Sequence, residues 1–130
     1  MNIKLFKSKI HRATLTGADL NYEGSIKIDG LLLDAANIFE YEALWIWNIN
    51  NGERLMTYTL RGSEGSGVIE LNGAAARLGH TGDLIIITSF VDLTPDKARH
   101  WKPTVVLVDD KNKIKLIAQG SGGLTYKEDD

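Results

Sequence analysis

The chain of 130 residues contains no cysteine. Disulfides, thiolate nucleophiles and cysteine-based zinc sites are therefore excluded together. Charge of one sign is also lacking: 15 Lys and Arg face 17 Asp and Glu, with no dense basic cluster. Nucleic acid is not an expected partner, because its phosphates require a basic face. No apolar run approaches the ~18 residues of a membrane span, so no membrane partner is expected. The opening stretch MNIKLFKSKIHRATL holds no long apolar segment. This predicts no secretory signal and a cytoplasmic protein. The three histidines, His11, His80 and His100, show no paired ligand spacing, so no metal site is expected. There is no GxSxG elbow, and GSEGSGV lacks the Gly-Lys-Ser/Thr ending of a phosphate loop. It reads as a hairpin loop.

What is present suits one soluble globular domain, with 43% hydrophobic and 25% charged residues. Two prolines and 13 glycines punctuate short apolar runs. Runs 43–49 (ALWIWNI) and 54–60 (RLMTYTL) flank Asn50-Asn51-Gly52-Glu53, and Asn-Gly between β-rich runs predicts a hairpin. Residues 66–72, 83–93, 104–110 and 113–118 read as strands from their β-branched content. Two further strand-like runs lie within residues 3–20. Short helices are predicted at 31–38, at 73–79 with Gly79 as the stop, and from Thr94-Pro95-Asp96 with Thr as N-cap. In run 43–49, Leu44 and Ile46 share one face while Trp45, Trp47 and Ile49 share the other. Apolar residues on both faces predict a closed barrel whose outer face meets another subunit. The expected organisation is an all-β barrel domain over 1–118 and a flexible tail over 119–130.

The tripeptide Glu-Gly-Ser occurs at 23–25 and again at 64–66. The second lies in a glycine-crowded loop. The first has different company: Lys9 and His11 on the preceding segment, Tyr22 beside it, Arg54, Thr57 and Tyr58 on one predicted strand, and Asn72-Gly73-Ala74-Ala75 at a strand-to-helix junction. Three separated stretches, KSKIHRATLT…NYEGSIKID, LWIWNINNGERLMTYTL and IELNGAAARLGHTGDLIIITSF, resemble the pyruvoyl-dependent aspartate decarboxylase family in order and spacing over about residues 1–117.

That resemblance implies a double-psi β-barrel with short helical connectors, assembled as a homotetramer with active sites near subunit interfaces. It implies a zymogen that cleaves itself at Gly24-Ser25, with Thr57 as oxyanion donor, into chains 1–24 and 25–130. Ser25 would become a pyruvoyl group, the ketone that takes up the amino group of L-aspartate as a Schiff base. No metal and no pyridoxal phosphate are then needed. Decarboxylation would yield β-alanine for pantothenate and coenzyme A synthesis, with Tyr58 as proton donor. Substrate binding would fall to Lys9, Arg54, Thr57, Asn72, Gly73, Ala74 and Ala75, with His11 and Tyr22 shaping the pocket. The need for a maturation factor as a further partner stays open.

The chemistry accounts for these residue types. A departing carboxylate leaves an electron pair that no ordinary side chain accepts, so an electron sink is required. Glycine before the attacking serine leaves the attacked carbonyl unshielded. A phenol carries a transferable proton. A guanidinium forks onto a carboxylate, which favours Arg54 for the retained side-chain carboxylate. Firm binding of the departing carboxylate would stabilise the ground state instead. A non-catalytic ligand-binding or scaffold barrel with an intact Gly24-Ser25 turn is the alternative reading.

Overall fold

The computed structural model describes residues 1–22 and 24–120. Glu23 and most of the expected tail, residues 121–130, lie outside the described residues. Nine strands follow one another along the chain: β1 (Ile3–Thr14), β2 (Gly17–Asp19), β3 (Ser25–Asp29), β4 (Ala43–Asn48), β5 (Arg54–Gly62), β6 (Ile69–Asn72), β7 (Leu84–Leu93), β8 (Thr104–Val108) and β9 (Ile114–Gln119). Helix α1 (Gly30–Ala35) follows β3, a 3-10 helix (Gly73–Leu78) follows β6, and α2 (Pro95–Ala98) follows β7. The strands pair in the order β2-β6-β3-β5-β4-β7-β1-β8-β9.

This order closes on itself. β1 stands near one end of the series and β2 at the other, yet only Leu15 and Thr16 separate them in the chain. Two residues span well under 15 Å, roughly 3.5 Å apiece, so the sheet must curl until its ends meet. Hydrogen bonds seal the seam: Leu15 N–H donates to the Asp83 carbonyl and Thr16 N–H to the Ile69 carbonyl, both at 2.8 Å. The buried Asn112 amide ties the β8–β9 turn to the same place, accepting from Thr14 N–H and donating to the Thr14 and Gly67 carbonyls. The result is the mainly-β barrel expected from the sequence. Strands β1 and β8, β2 and β6, and β3 and β5 pair in parallel although distant in sequence.

Alternation decides the two faces. Leu44 and Ile46 point inward and join Ile10, Ile26, Ile28, Ile69, Leu71, Ile85 and Ile87 in a core closed to solvent. Each such side chain contributes roughly 1.5–3 kcal/mol by burial. Trp45 and Trp47 point outward, as the pattern requires. The β4–β5 hairpin turns through Gly52 at φ +77°, a conformation that costs glycine nothing.

Three expectations need correction, and one strand went unseen. The loop at 63–68 is not a hairpin loop: β5 and β6 do not pair, because β3 lies between them, and the loop crosses over β3. Residues 25–29 form a strand that the sequence hid, since Lys27 and Asp29 interrupt its β-branched content. The predicted helix at 73–79 is a single 3-10 segment, and Gly79 stops it in an extended conformation. A Cβ there would meet Leu15 Cδ2 at 2.9 Å and Leu71 Cδ1 at 3.0 Å, so these buried side chains would have to shift to admit one. Thr94 does occupy the N-cap of α2, but its side chain makes no capping bond. Helix α1 is capped instead by Asp29, whose side chain accepts from Leu31 N–H.

Candidate active site

Strand β3 begins at Ser25 and runs between two neighbours. On one side it is antiparallel to β6, with Ser25 opposite Asn72. On the other it is parallel to β5, with Ile26 beside Thr59. Thr59 fixes this pairing by donating its hydroxyl to the Ile26 carbonyl at 3.0 Å. Continued toward the N-terminus, the same register sets Ser25 level with Tyr58 and Gly24 level with Thr57. The sheet thus gathers Gly24, Ser25, Thr57, Tyr58, Asn72 and Gly73, which are scattered over fifty residues of sequence.

Burial singles out one pair in this group. Ser25 and Asn72 are both closed to solvent. Among the described residues, the Ser25 hydroxyl and both polar atoms of the Asn72 amide have no hydrogen-bond partner. A buried polar atom left unpaired costs about 1–3 kcal/mol. Asn72 even stands at the N-cap of the 3-10 helix without using its side chain as a cap. Polar atoms held at such cost beside one another are a reason to look for chemistry. Both a donor and an acceptor of the Asn72 amide are therefore available to a carbonyl or hydroxyl formed at position 25, so the cradle fits a keto group there.

Around this pair, Tyr58 is 40% exposed while Thr57 is half-buried, as their alternation on β5 requires. Gly73, at φ +63°, packs its backbone directly on that of Gly24. Ala74 is exposed and Ala75 half-buried on the first turn of the 3-10 helix, where backbone N–H groups have no partner within the helix. The Tyr22 ring lies 5.5 Å from the Lys27 ammonium.

The expected cations stand elsewhere. Lys9 pairs with Thr88 and Val105 on β1, a strand that does not pair with β3, β5 or β6. Partial burial holds its pKa below the ordinary lysine value. His11 follows on the same strand, opposite Leu107. Arg54 opens β5, four residues or roughly 13 Å from Tyr58. Its guanidinium lies 5.6 Å over the Trp47 ring. Lys9 and Arg54 share the outer face with Trp45 and Met56, which are 36% and 58% exposed. Neither cation is in register with Ser25.

Two neighbours of the site were not singled out by sequence. Trp47 was legible only as an outward-facing aromatic, and its contact with Arg54 depends on the β4–β5 register. Lys27 follows Ser25 by two, which places both on one face once β3 is known to be a strand. Among the described residues no group of three or more His, Asp or Glu could hold a metal ion. No described helix is long and apolar enough to cross a membrane.

Comparison with known proteins identifies relatives of this chain. The family model described as aspartate decarboxylase matches residues 1–115. Among similar curated proteins is the aspartate 1-decarboxylase of Syntrophus aciditrophicus, 57% identical over 111 residues, covering 85% of this chain and 96% of that one. The enzyme of the same name from Syntrophotalea carbinolica is 56% identical over 112 residues, 86% of each chain. That from Chloroherpeton thalassium is 56% identical over 119 residues, covering 92% of this chain and 88% of the relative. With such matches over most of its length, this chain belongs to the aspartate decarboxylase family.

Proposed function

We propose that the chain cuts itself between Gly24 and Ser25 and then decarboxylates L-aspartate to β-alanine and CO₂, a supply for pantothenate and coenzyme A synthesis. The observation that carries this reading is the buried, unpartnered Ser25 hydroxyl beside the unpartnered Asn72 amide, in a member of this family.

In the cleavage, Ser25 Oγ attacks the Gly24 carbonyl carbon, and the C–N bond gives way to an ester. Thr57, level with Gly24, donates to the oxyanion formed on the way. Loss of the Ser25 α-proton and cleavage of Cβ–Oγ then release the Gly24 carboxylate and leave dehydroalanine. Water converts this to a ketone with release of ammonia. The pyruvoyl group so made supplies the electron sink that decarboxylation requires.

The chain's own residues do the rest. Arg54 holds the side-chain carboxylate of aspartate in a bidentate fork. Lys9 adds a second positive charge. Backbone N–H groups of Gly73, Ala74 and Ala75 face the substrate, and Asn72 orients the keto oxygen. Tyr58, exposed and level with Ser25, returns a proton to the substrate carbon. Tyr22 and His11 shape the pocket wall. Neither metal nor pyridoxal phosphate takes part.

Because neither Lys9 nor Arg54 is in register with Ser25, we assign the complete site to an assembly, a homotetramer in which a neighbouring copy completes the pocket. The exposed Trp45, Met56 and Tyr58 support an apolar interface on that face. The activity is placed in the cytoplasm, and a maturation factor remains compatible with it. The test is direct: fully cleaved protein is given L-aspartate and β-alanine is measured. Accumulation of β-alanine is expected; its absence would overturn the reading.

A further inference from the structure

The Gly24-Ser25 dipeptide draws attention to the glycine before the nucleophile, yet the tighter steric demand falls on another glycine. A Cβ built on Gly24 would meet nothing closer than the Asn72 carbonyl oxygen at 4.0 Å. A Cβ built on Gly73 would lie 2.7 Å from both Cα and N of Gly24, and 3.0 Å from the Tyr22 carbonyl oxygen. Gly73 also sits at φ +63°, where side chains other than glycine's are strained. The backbone of residue 73 therefore presses on the segment that leads into the scissile bond.

We propose that Gly73 is a positioning residue for self-cleavage: its missing side chain lets the Gly24 backbone seat against the start of the 3-10 helix, where Ser25 Oγ can reach the Gly24 carbonyl. This rests on the cleavage reading above.

The effect comes from what can and cannot yield. Ser25 is fixed in the sheet by its pairing with Asn72, the residue next to Gly73. Gly24 precedes the strand and stands outside its paired register. A methyl group at 73 would have to reach a carbon contact of about 3.5 Å, so the 2.7 Å approach would open by roughly 0.8 Å. Gly24 Cα is bonded to the attacked carbon, whereas the nucleophile stays with β3. The displacement therefore appears between the two reacting atoms and is not shared by them. Reacting atoms must approach within about 3–3.5 Å, and a misplacement near 1 Å costs on the order of 100-fold in rate.

The experiment follows the appearance of the two fragments by intact mass, in freshly purified precursor without aspartate, alongside thermal unfolding. Gly73→Ala adds both the collision and the backbone strain. Gly73→Asn adds the collision, but asparagine tolerates positive φ, which protects folding. Gly52→Ala is the control: Gly52 has φ +77° and nothing within 4 Å of a built Cβ, so it adds strain alone. Both Gly73 variants are expected to cleave about 10- to 100-fold more slowly than wild type, and Gly52→Ala at the wild-type rate. A folded Gly73→Asn or Gly73→Ala precursor that cleaves at the wild-type rate overturns the inference and leaves the cleavage reading intact. Equal slowing by Gly52→Ala also overturns it, since strain alone would then explain the effect. A wild-type chain that stays in one piece overturns the cleavage reading and this inference with it.

Discussion

Asp29 closes the far end of the strand that Ser25 opens, and its replacement gives a graded test of how β3 is held. The carboxylate is 2% exposed. Oδ1 accepts from Leu31 N–H at 2.8 Å and from Gly65 N–H at 2.9 Å, and Oδ2 accepts from Gly67 N–H at 2.8 Å. One side chain thus caps α1 and pins the loop that crosses over β3. Asp29→Asn keeps one acceptor oxygen but turns an amide N–H toward the buried Gly67 N–H. The cost is one unsatisfied buried donor, about 1–3 kcal/mol. Asp29→Ala removes all three acceptor contacts. Water can replace the partner of the part-buried Leu31 and Gly65 groups but not that of Gly67, so about 3–6 kcal/mol is expected. At roughly 3–4 °C per kcal/mol for a domain of this size, the midpoints fall by about 3–12 °C and about 9–24 °C. The assay is thermal and denaturant unfolding in the Ser25→Ala background, where the chain stays uncut and protein concentration is matched. An Asp29→Ala midpoint within a few degrees of its parent would refute the anchoring role.

Two further outcomes are expected. Tyr58→Phe should still cleave but decarboxylate about 10²- to 10⁴-fold more slowly, because the proton donor is gone while the fold is kept; near wild-type turnover of the cleaved variant would remove Tyr58 from that role. Asp83 accepts from the Asn48 amide and from His80 N–H, both at 2.9 Å, and these bonds hold its pKa below the ordinary 3.8. Its stabilisation is therefore present above about pH 4 and lost as pH falls through the lowered folded-state value. Asp83→Asn should be less stable than wild type at pH 7, with the gap closing in acid; a gap that stays constant down to pH 2 would contradict this.

Local signals were legible in the sequence wherever local chemistry decides the outcome. Asn51-Gly52 between alternating runs gave the β4–β5 hairpin, and the inward Leu44 and Ile46 followed from period two. Thr94-Pro95 marked the start of α2. Non-local pairing was not legible. β3 is a strand because β5 and β6 flank it, and its buried Asp29 is satisfied by N–H groups 36 and 38 residues away. The loop at 63–68 looked like a hairpin because nothing in it reveals that another strand lies between its ends. The candidate site shows the same division. Thr57 and Tyr58 were placed on one predicted strand and given their roles by resemblance, but their level with Gly24 and Ser25 depends on the parallel register. The residues that could meet substrate were named through family resemblance. That Lys9 and Arg54 are out of register with Ser25 became visible only with the strand order.

The central claim is that Ser25 is a cofactor precursor, and the intact mass of the purified protein tests it most directly. Wild-type protein is expected as two pieces, 1–24 and 25–130. The longer should be lighter than a serine-ended fragment by the mass of ammonia, and it should react with hydroxylamine. Ser25→Ala is expected as one folded, uncut chain. A wild-type chain that remains whole after prolonged warming, with and without cell extract, would contradict the account, as would normal cleavage of Ser25→Ala.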